Sequence, residues 1–205
     1  MDSSTNHRGW AERTGEFSPA YYAHLGPNKV SKSLVTLLEY YSTEEASILE
    51  LGCSSGRHLA YLHENGFENL TGIDINDESF EVMAKSYPDL ADTGTFHTGS
   101  IERLVSEFAD NTFDVVYSVE TLQHVHADDE WVFEELGRIT RDLLVTIENE
   151  GTTPNTDQTV RFVNGEFPLY CRNWNRVFTD LGLSQLLSKP GKPDTIRAFR
   201  PSSNH

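Results

Sequence analysis

The chain has 205 residues, enough for one domain with a sizeable core and few for two, and 37% hydrophobic and 11% aromatic residues suit a folded globule. Thirty-two acidic residues against sixteen basic ones give a formal net charge of −16, which tells against a nucleic-acid-binding surface and against polybasic docking on anionic lipid. No run approaches the ~20 apolar residues of a membrane helix, no signal pattern opens the chain, and Cys53 and Cys171 form no CxxC pair, so a cytoplasmic protein with two free thiols is expected.

Residues 1–45 read as a helical cap. Trp10, Phe17, Tyr21 and Tyr22 belong to a segment expected to fold over one edge of a sheet, and Leu34, Leu37, Leu38 and Tyr41 mark an amphipathic helix. From residue 46 to 149 strand and helix patterns alternate, which points to βαβ units and a mainly parallel sheet. Strands are predicted at 47–51, 70–75, 95–98, 113–119 and 142–147. Helices are predicted at 57–65, stopped by Gly66, near 102–108, and at 127–139. Another carries Phe80, Met83, Ala84 and Tyr87 as a core stripe, with Asn76 as its cap and Pro88 closing it. Between 150 and 171 the pattern breaks at Gly151, Pro154, Asn155, Gly165 and Pro168, and an irregular cover over the substrate side is expected. Residues 172–205 then supply a final helix near 173–181 and a β-hairpin across the turn at 189–193. The acid excess is spread along the chain, so adaptation to high salt stands beside an ordinary acidic surface.

The chemistry gathers at Glu50-Leu-Gly52-Cys-Ser-Ser-Gly56, followed by Asp74 at the end of the second strand. A glycine-rich turn between a first strand and its helix lets a ligand approach the backbone, and an acid about twenty positions on can hold a ribose hydroxyl pair. Those features suit any adenosine-containing cofactor. Two details favour S-adenosylmethionine over a dinucleotide. Of the three GxGxxG positions only Gly52 matches, the others being Ser54 and Arg57. Glu50 would oppose a pyrophosphate but attract an ammonium group, directly or through water.

Over residues 47–147 the sequence resembles the class I S-adenosylmethionine-dependent methyltransferases. Ile48-Leu-Glu-Leu-Gly-Cys-Ser-Ser-Gly56 is similar to that family's first motif with serine in place of the middle glycine. Gly72-Ile-Asp-Ile75 is similar to its second, and the run from Phe113 to His124 to its fourth. The resemblance implies an α/β three-layer sandwich with a mostly parallel seven-stranded sheet whose last strand is antiparallel. It implies that Asp74 holds the ribose, that Ile75 packs on adenine, and that Glu50, Gly52, Cys53, Ser54, Gly56 and Val119 surround the remaining cofactor. Many relatives carry an acid for the adenine amino group; Ser100 and the backbone of Ile101 stand there instead.

The acceptor side is read from single residues. Glu120 and His126 are the candidates for a general base, and Gln123, Tyr21, Tyr22 and Arg172 for acceptor contacts. Tyr21 and Tyr22 either shape a lid or pack within the cap, and Arg172 either meets the acceptor or begins a surface helix. The spacing of His124 and His126 lacks a third ligand, so no metal is expected. A small-molecule acceptor, no nucleic-acid or membrane partner, and a monomer or homodimer are expected. An NAD-dependent oxidoreductase and a non-catalytic S-adenosylmethionine-binding protein are the rival readings.

Overall fold

The structure is a computed structural model that describes residues 2–150, 159–165 and 167–202. Strands β1 (Ile48–Leu51), β2 (Leu70–Asp74), β3 (Thr95–Thr98), β4 (Phe113–Val119) and β5 (Thr140–Asn149) run parallel. A hairpin of β6 (Thr159–Val163) and β7 (Phe167–Cys171) stands apart from them. The last strands, β8 (Ser184–Lys189) and β9 (Asp194–Arg200), complete a seven-stranded sheet in the order β3-β2-β1-β4-β5-β9-β8, with β9 antiparallel to both neighbours. The chain winds outward from β1 to β3 and then crosses to β4. The carboxyl ends of β1 and β4 therefore form the switch point at which open α/β sheets hold ligands.

The period-two pleat divides the core. Ile48, Val115, Tyr117 and Val145 meet Leu34 and Leu38 of α3 (Lys29–Tyr41), Leu59 and Leu62 of α4 (Arg57–Glu64), and Met83 of α5 (Glu78–Ser86). Leu49, Leu51, Ile73, Val116 and Leu144 meet Leu104 of α7 (Ile101–Val105), Phe133 and Leu136 of α8 (Val132–Ile139), and Trp174 and Phe178 of α9 (Trp174–Asp180). Two short helices, α1 (Ser3–Ala11) and α2 (Pro19–Leu25), precede this sandwich, capped by Asp2 and Ser18. Cys53 and Cys171 are free and buried. Among the described residues no helix is long and apolar enough to cross a membrane.

Several local expectations need correction. Pro88 begins a helix, α6 (Pro88–Thr93), because a missing N–H costs nothing at a first helical position. Ala84 is exposed, and Ser79 takes the buried place beside Met83. Asn76 does not stand at the N-cap, which is Asp77. Its side chain accepts from Glu78 N at 3.0 Å and donates to the Trp10 and Arg13 carbonyls, tying the N-terminal segment to β2. The 127–139 helix is a short 3₁₀ turn at Ala127–Asp129 followed by α8. Residues 151–158 and 166 of the expected irregular cover lie outside the described residues, and much of the remainder is the β6–β7 hairpin.

Candidate active site

The turn from β1 into α4 alternates into left-handed backbone at Gly52 (φ 66°), Ser54 (φ 50°) and Gly56 (φ 79°). At Gly52 a Cβ would collide with the Thr121 side chain, so glycine lets the loop after β4 close on the turn. At Gly56 a Cβ would lie 2.6 Å from Met83 Cε, so this glycine seats α4 against its neighbours. Gly56 does not line the cavity described below, and its role is packing. Ser54 holds a conformation that costs a side-chain-bearing residue about 1–2 kcal/mol. The gain is that Ser54 N donates to Asp74 Oδ2 at 2.7 Å.

Asp74 also accepts from Asn76 N and Ser79 Oγ, both at 2.9 Å on Oδ1. A carboxylate offers about four acceptor sites, so three are used in positioning it and one remains for a ligand hydroxyl. Glu50 is 1% exposed and accepts from the Tyr117 hydroxyl at 3.0 Å. Burial pushes its pKa up to about 8, against the pull of the Tyr117 hydrogen bond and of Arg57. It is therefore a neutral carboxyl at pH 7 that ionises when a cation arrives. Cys53 is buried and its thiol is pushed well above the ordinary range, which removes it as a nucleophile.

A cavity of about 380 Å³ opens at these strand ends, within the range of small-molecule sites. The sheet contributes Glu50, Asp74, Val119 and Glu120, and the N-terminal segment contributes Asn6, Trp10, Phe17 and Tyr22. Val163 and Leu169 of the hairpin and Pro193 and Asp194 at the start of β9 close the far side. The cover is stapled at His124. Its carbonyl accepts from Asn6 Nδ2 at 2.8 Å, its Nδ1 donates to the Pro168 carbonyl at 3.1 Å, and its ring meets Trp10 edge-on at 4.6 Å. Burial lowers the His124 pKa to about 4, so the ring is neutral. Glu148, fully buried, organises the loop after β4 by accepting from Ser118 Oγ and the backbone N–H groups of Thr121, Leu122 and Gln123 at 2.8–3.2 Å.

Of the residues singled out in the sequence, Glu50, Gly52, Cys53, Ser54, Asp74, Ile75, Ser100, Ile101, Val119, Glu120, Gln123 and Tyr22 line this cavity. Ser100 is engaged in capping α7, accepting from Arg103 N at 3.3 Å. Gln123 is buried, accepting from Asn149 N at 2.9 Å and donating to the Glu120 carbonyl at 3.4 Å, and so it positions backbone. Three candidates besides Gly56 fall outside. His126 is held by Asp128 and packs on Tyr170; Tyr21 packs edge-on against Phe17 and Tyr22. Arg172 is buried, bonded to Glu130 Oε1 and the Val125 carbonyl at 2.8 Å, among Phe133, Tyr170 and Trp174. It is a clamp beneath the hairpin, because tertiary carbonyls and aromatic faces satisfy it there.

Several cavity residues went unread. Glu102 lies there with His7 Nε2 3.1 Å from Oε1, an acid two positions beyond Ser100. His7, Glu102 and Asp129 place ligand atoms within 4.8 Å of one another, with Ser3 Oγ donating to Asp129 at 2.6 Å. Thr121, Asn149 and Asp194 also line the cavity. Spacing to Ser100 could have flagged Glu102; nothing local flags Asp194.

The family model described as "Methyltransferase domain" matches residues 49–143. Over those residues, a little under half of the chain, the sequence is similar to methyltransferase domains. Among curated relatives, an O-methyltransferase of Pyrenophora dematioidea is 27% identical over 46% of the chain and 35% of its own length. An O-methyltransferase of Penicillium expansum is 31% identical over 38% of the chain and 28% of its own length. The aligned part thus spans about a third of these relatives. The 1,6-didemethyltoxoflavin-N1-methyltransferase of Burkholderia thailandensis, solved with its substrate and S-adenosylhomocysteine, superposes with a TM-score of 0.67 at 14% identity. That superposition covers 98% of this chain and 85% of the other. The PH0226 protein of Pyrococcus horikoshii gives 0.64 at 18% identity over 85% and 92%. The [4+2]-cyclase SpnF gives 0.65 at 16% identity over 88% and 65%, so the same fold also carries other chemistry.

Proposed function

We propose that this methyltransferase binds S-adenosylmethionine in the cavity at the carboxyl ends of β1 to β5 and methylates an oxygen of a small-molecule acceptor. The observation that carries the reading is the pairing of a buried, uncharged Glu50 with an Asp74 that keeps one acceptor site, on either side of a left-handed turn. This set fits a phosphate-free nucleoside carrying an ammonium group. Glu50 would hold the ammonium, Asp74 the ribose hydroxyls, and the apolar side chains of Ile75, Ile101 and Val119 the adenine.

The cofactor brings an activated methyl group and its leaving group, so the chain's work is to place the acceptor and exclude water. Trp10, the hairpin and the His124 staple make the roof that does so. The two O-methyltransferase relatives support oxygen as the methylated atom. The apolar lining from Phe17, Val163, Leu169 and Pro193 supports a small acceptor with an apolar body.

The test is incubation with S-adenosylmethionine and a set of hydroxy-aromatic compounds, with products read by mass spectrometry. Addition of one methyl group to oxygen supports the reading. Binding of NADH with no response to S-adenosylhomocysteine would replace it with the oxidoreductase, and tight cofactor binding with no product from any acceptor would leave a binding protein.

A further inference from the structure

Two acidic residues, Glu120 just after β4 and Asp194 at the start of β9, line the cavity together. Glu120 follows the last residue of β4 and sits in left-handed backbone at φ 51°. Its N–H donates to the Ile147 carbonyl at 2.8 Å and its carbonyl accepts from Gln123, so the strained conformation is held from both sides. Such strain in a non-glycine residue costs about 1–3 kcal/mol and gathers at functional positions. Asp194 opens β9, in register with Asn149 of β5, which brings it to the same strand ends as Glu120, and the Glu120 charge acts on its carboxyl. Its Oδ1 is buried with no hydrogen-bond partner among the described residues. Both side chains line the cavity.

We infer that Asp194 is a catalytic residue of this site: with Glu120 it forms a carboxyl–carboxylate pair that accepts the proton of a phenolic acceptor. The inference rests on the methyltransferase reading above and adds to it the acceptor class and the base. The acceptor oxygen forms its new bond to the methyl carbon, and the carbon–sulfur bond breaks with its electron pair remaining on sulfur. The hydroxyl proton passes to the open carboxylate oxygen of the pair and then exchanges with water. No oxidant or further reactant enters.

Charge and acidity select the phenol. A neighbouring carboxylate disfavours ionisation of Asp194, because two like charges side by side are costly. Burial first, and the charge of Glu120 second, raise the Asp194 pKa to about 7, suited to a base working near neutrality. A phenol, near pKa ~10, is within reach of such a base, whereas an alkyl hydroxyl closer to water at ~15.7 is not. An ammonium acceptor would be bound by the pair in its protonated form, with its lone pair blocked. Tyr22 closes the same corner. Its hydroxyl, raised to about 12 by burial and by the charge of Glu120, stays protonated beneath the Arg57 guanidinium, 4.7 Å from its ring. It is therefore no rival base.

The test compares the wild-type chain with Asp194→Asn and Glu120→Gln on two probes, 4-methylphenol and 4-nitrophenol, the latter a far stronger acid that is substantially ionised at neutral pH without help from a base. S-adenosylhomocysteine titration and melting temperature establish that each variant folds and holds cofactor. Should Asp194→Asn fail there, Glu120→Gln, at an exposed position just after β4, carries the comparison. The expected result is a fall in kcat of about 100-fold or more on 4-methylphenol, and of a few-fold at most on 4-nitrophenol, with S-adenosylhomocysteine affinity unchanged. Equal losses on both probes, no loss on either, or cofactor binding with no methylation of either phenol would overturn the inference. Absence of any S-adenosylhomocysteine heat from the wild type would instead overturn the reading on which it rests.

Discussion

Binding of S-adenosylhomocysteine at pH 7 is expected to release close to one proton, and Glu50 is the group that gives it up. Its burial raises its pKa to about 8, so the ligand-free protein carries it about nine-tenths protonated at pH 7. A ligand ammonium about 4 Å away is worth about 4 kcal/mol at an effective dielectric constant of ~20, or about three pKa units. That brings Glu50 to about pKa 5, and the released proton count is about 0.9 at pH 7 and about 0.1 at pH 9. Calorimetric titrations in phosphate and in Tris, which differ in ionisation enthalpy, read this count as the dependence of heat on buffer. In Glu50→Gln the buffer dependence should vanish and affinity fall about 10- to 100-fold, the loss of one charge-assisted hydrogen bond. Identical heats in the two buffers at pH 7, or a buffer dependence that survives in Glu50→Gln, would refute the assignment. The same shift fixes the sign of the stability profile. A carboxyl raised above its ordinary value stabilises the fold in acid and loses that contribution as pH rises through the folded value. Glu148 and Asp194, each raised to about 7 with burial as the largest cause, act in the same direction. The melting temperature of the ligand-free protein should therefore decline between about pH 5 and pH 8.

Three further outcomes follow from the geometry. Ser54→Gly should raise the melting temperature by about 2 °C, because relief of left-handed strain exceeds the added chain entropy by roughly 0.5–1 kcal/mol; a lower melting temperature would count against the strain. Glu148→Gln keeps an oxygen for the Thr121 and Leu122 N–H groups but sets an amide donor against the Gln123 N–H, and should cost about 2 kcal/mol, read by denaturant unfolding; a loss under about 1 kcal/mol would contradict its organising role. We also propose that the net charge of −16 reflects adaptation to salt. Melting temperature should then climb from ~0.1 M to molar salt as self-repulsion is screened, and a flat series would remove the idea.

What the sequence could show and what it could not divide along physical lines. Glu50, Gly52 and Asp74 were legible because strand, turn and helix lie consecutively and the turn's chemistry is local. The sheet was legible for the same reason, since each apolar strand is followed by its own covering helix. The β6–β7 hairpin was obscured by the prolines and glycines around it, although Asn164-Gly165, both at positive φ, is a strong hairpin signal. His126 and Arg172 misled because a polar side chain near the end of a strand looks alike whether it points to a ligand or to a carbonyl. Only the packed structure shows the latter for Arg172. Asp194 reaches the cavity from a segment distant in the chain, and no spacing rule flags it.

The central claim is that the cavity receives a positively charged, phosphate-free nucleoside. Isothermal titration of the purified chain with S-adenosylhomocysteine, beside Asp74→Ala and with NADH as the competing ligand, tests it most directly. The account predicts saturable heat with one site per chain, sharply weakened in Asp74→Ala, and none from NADH. Heat from NADH with none from S-adenosylhomocysteine or S-adenosylmethionine would contradict it.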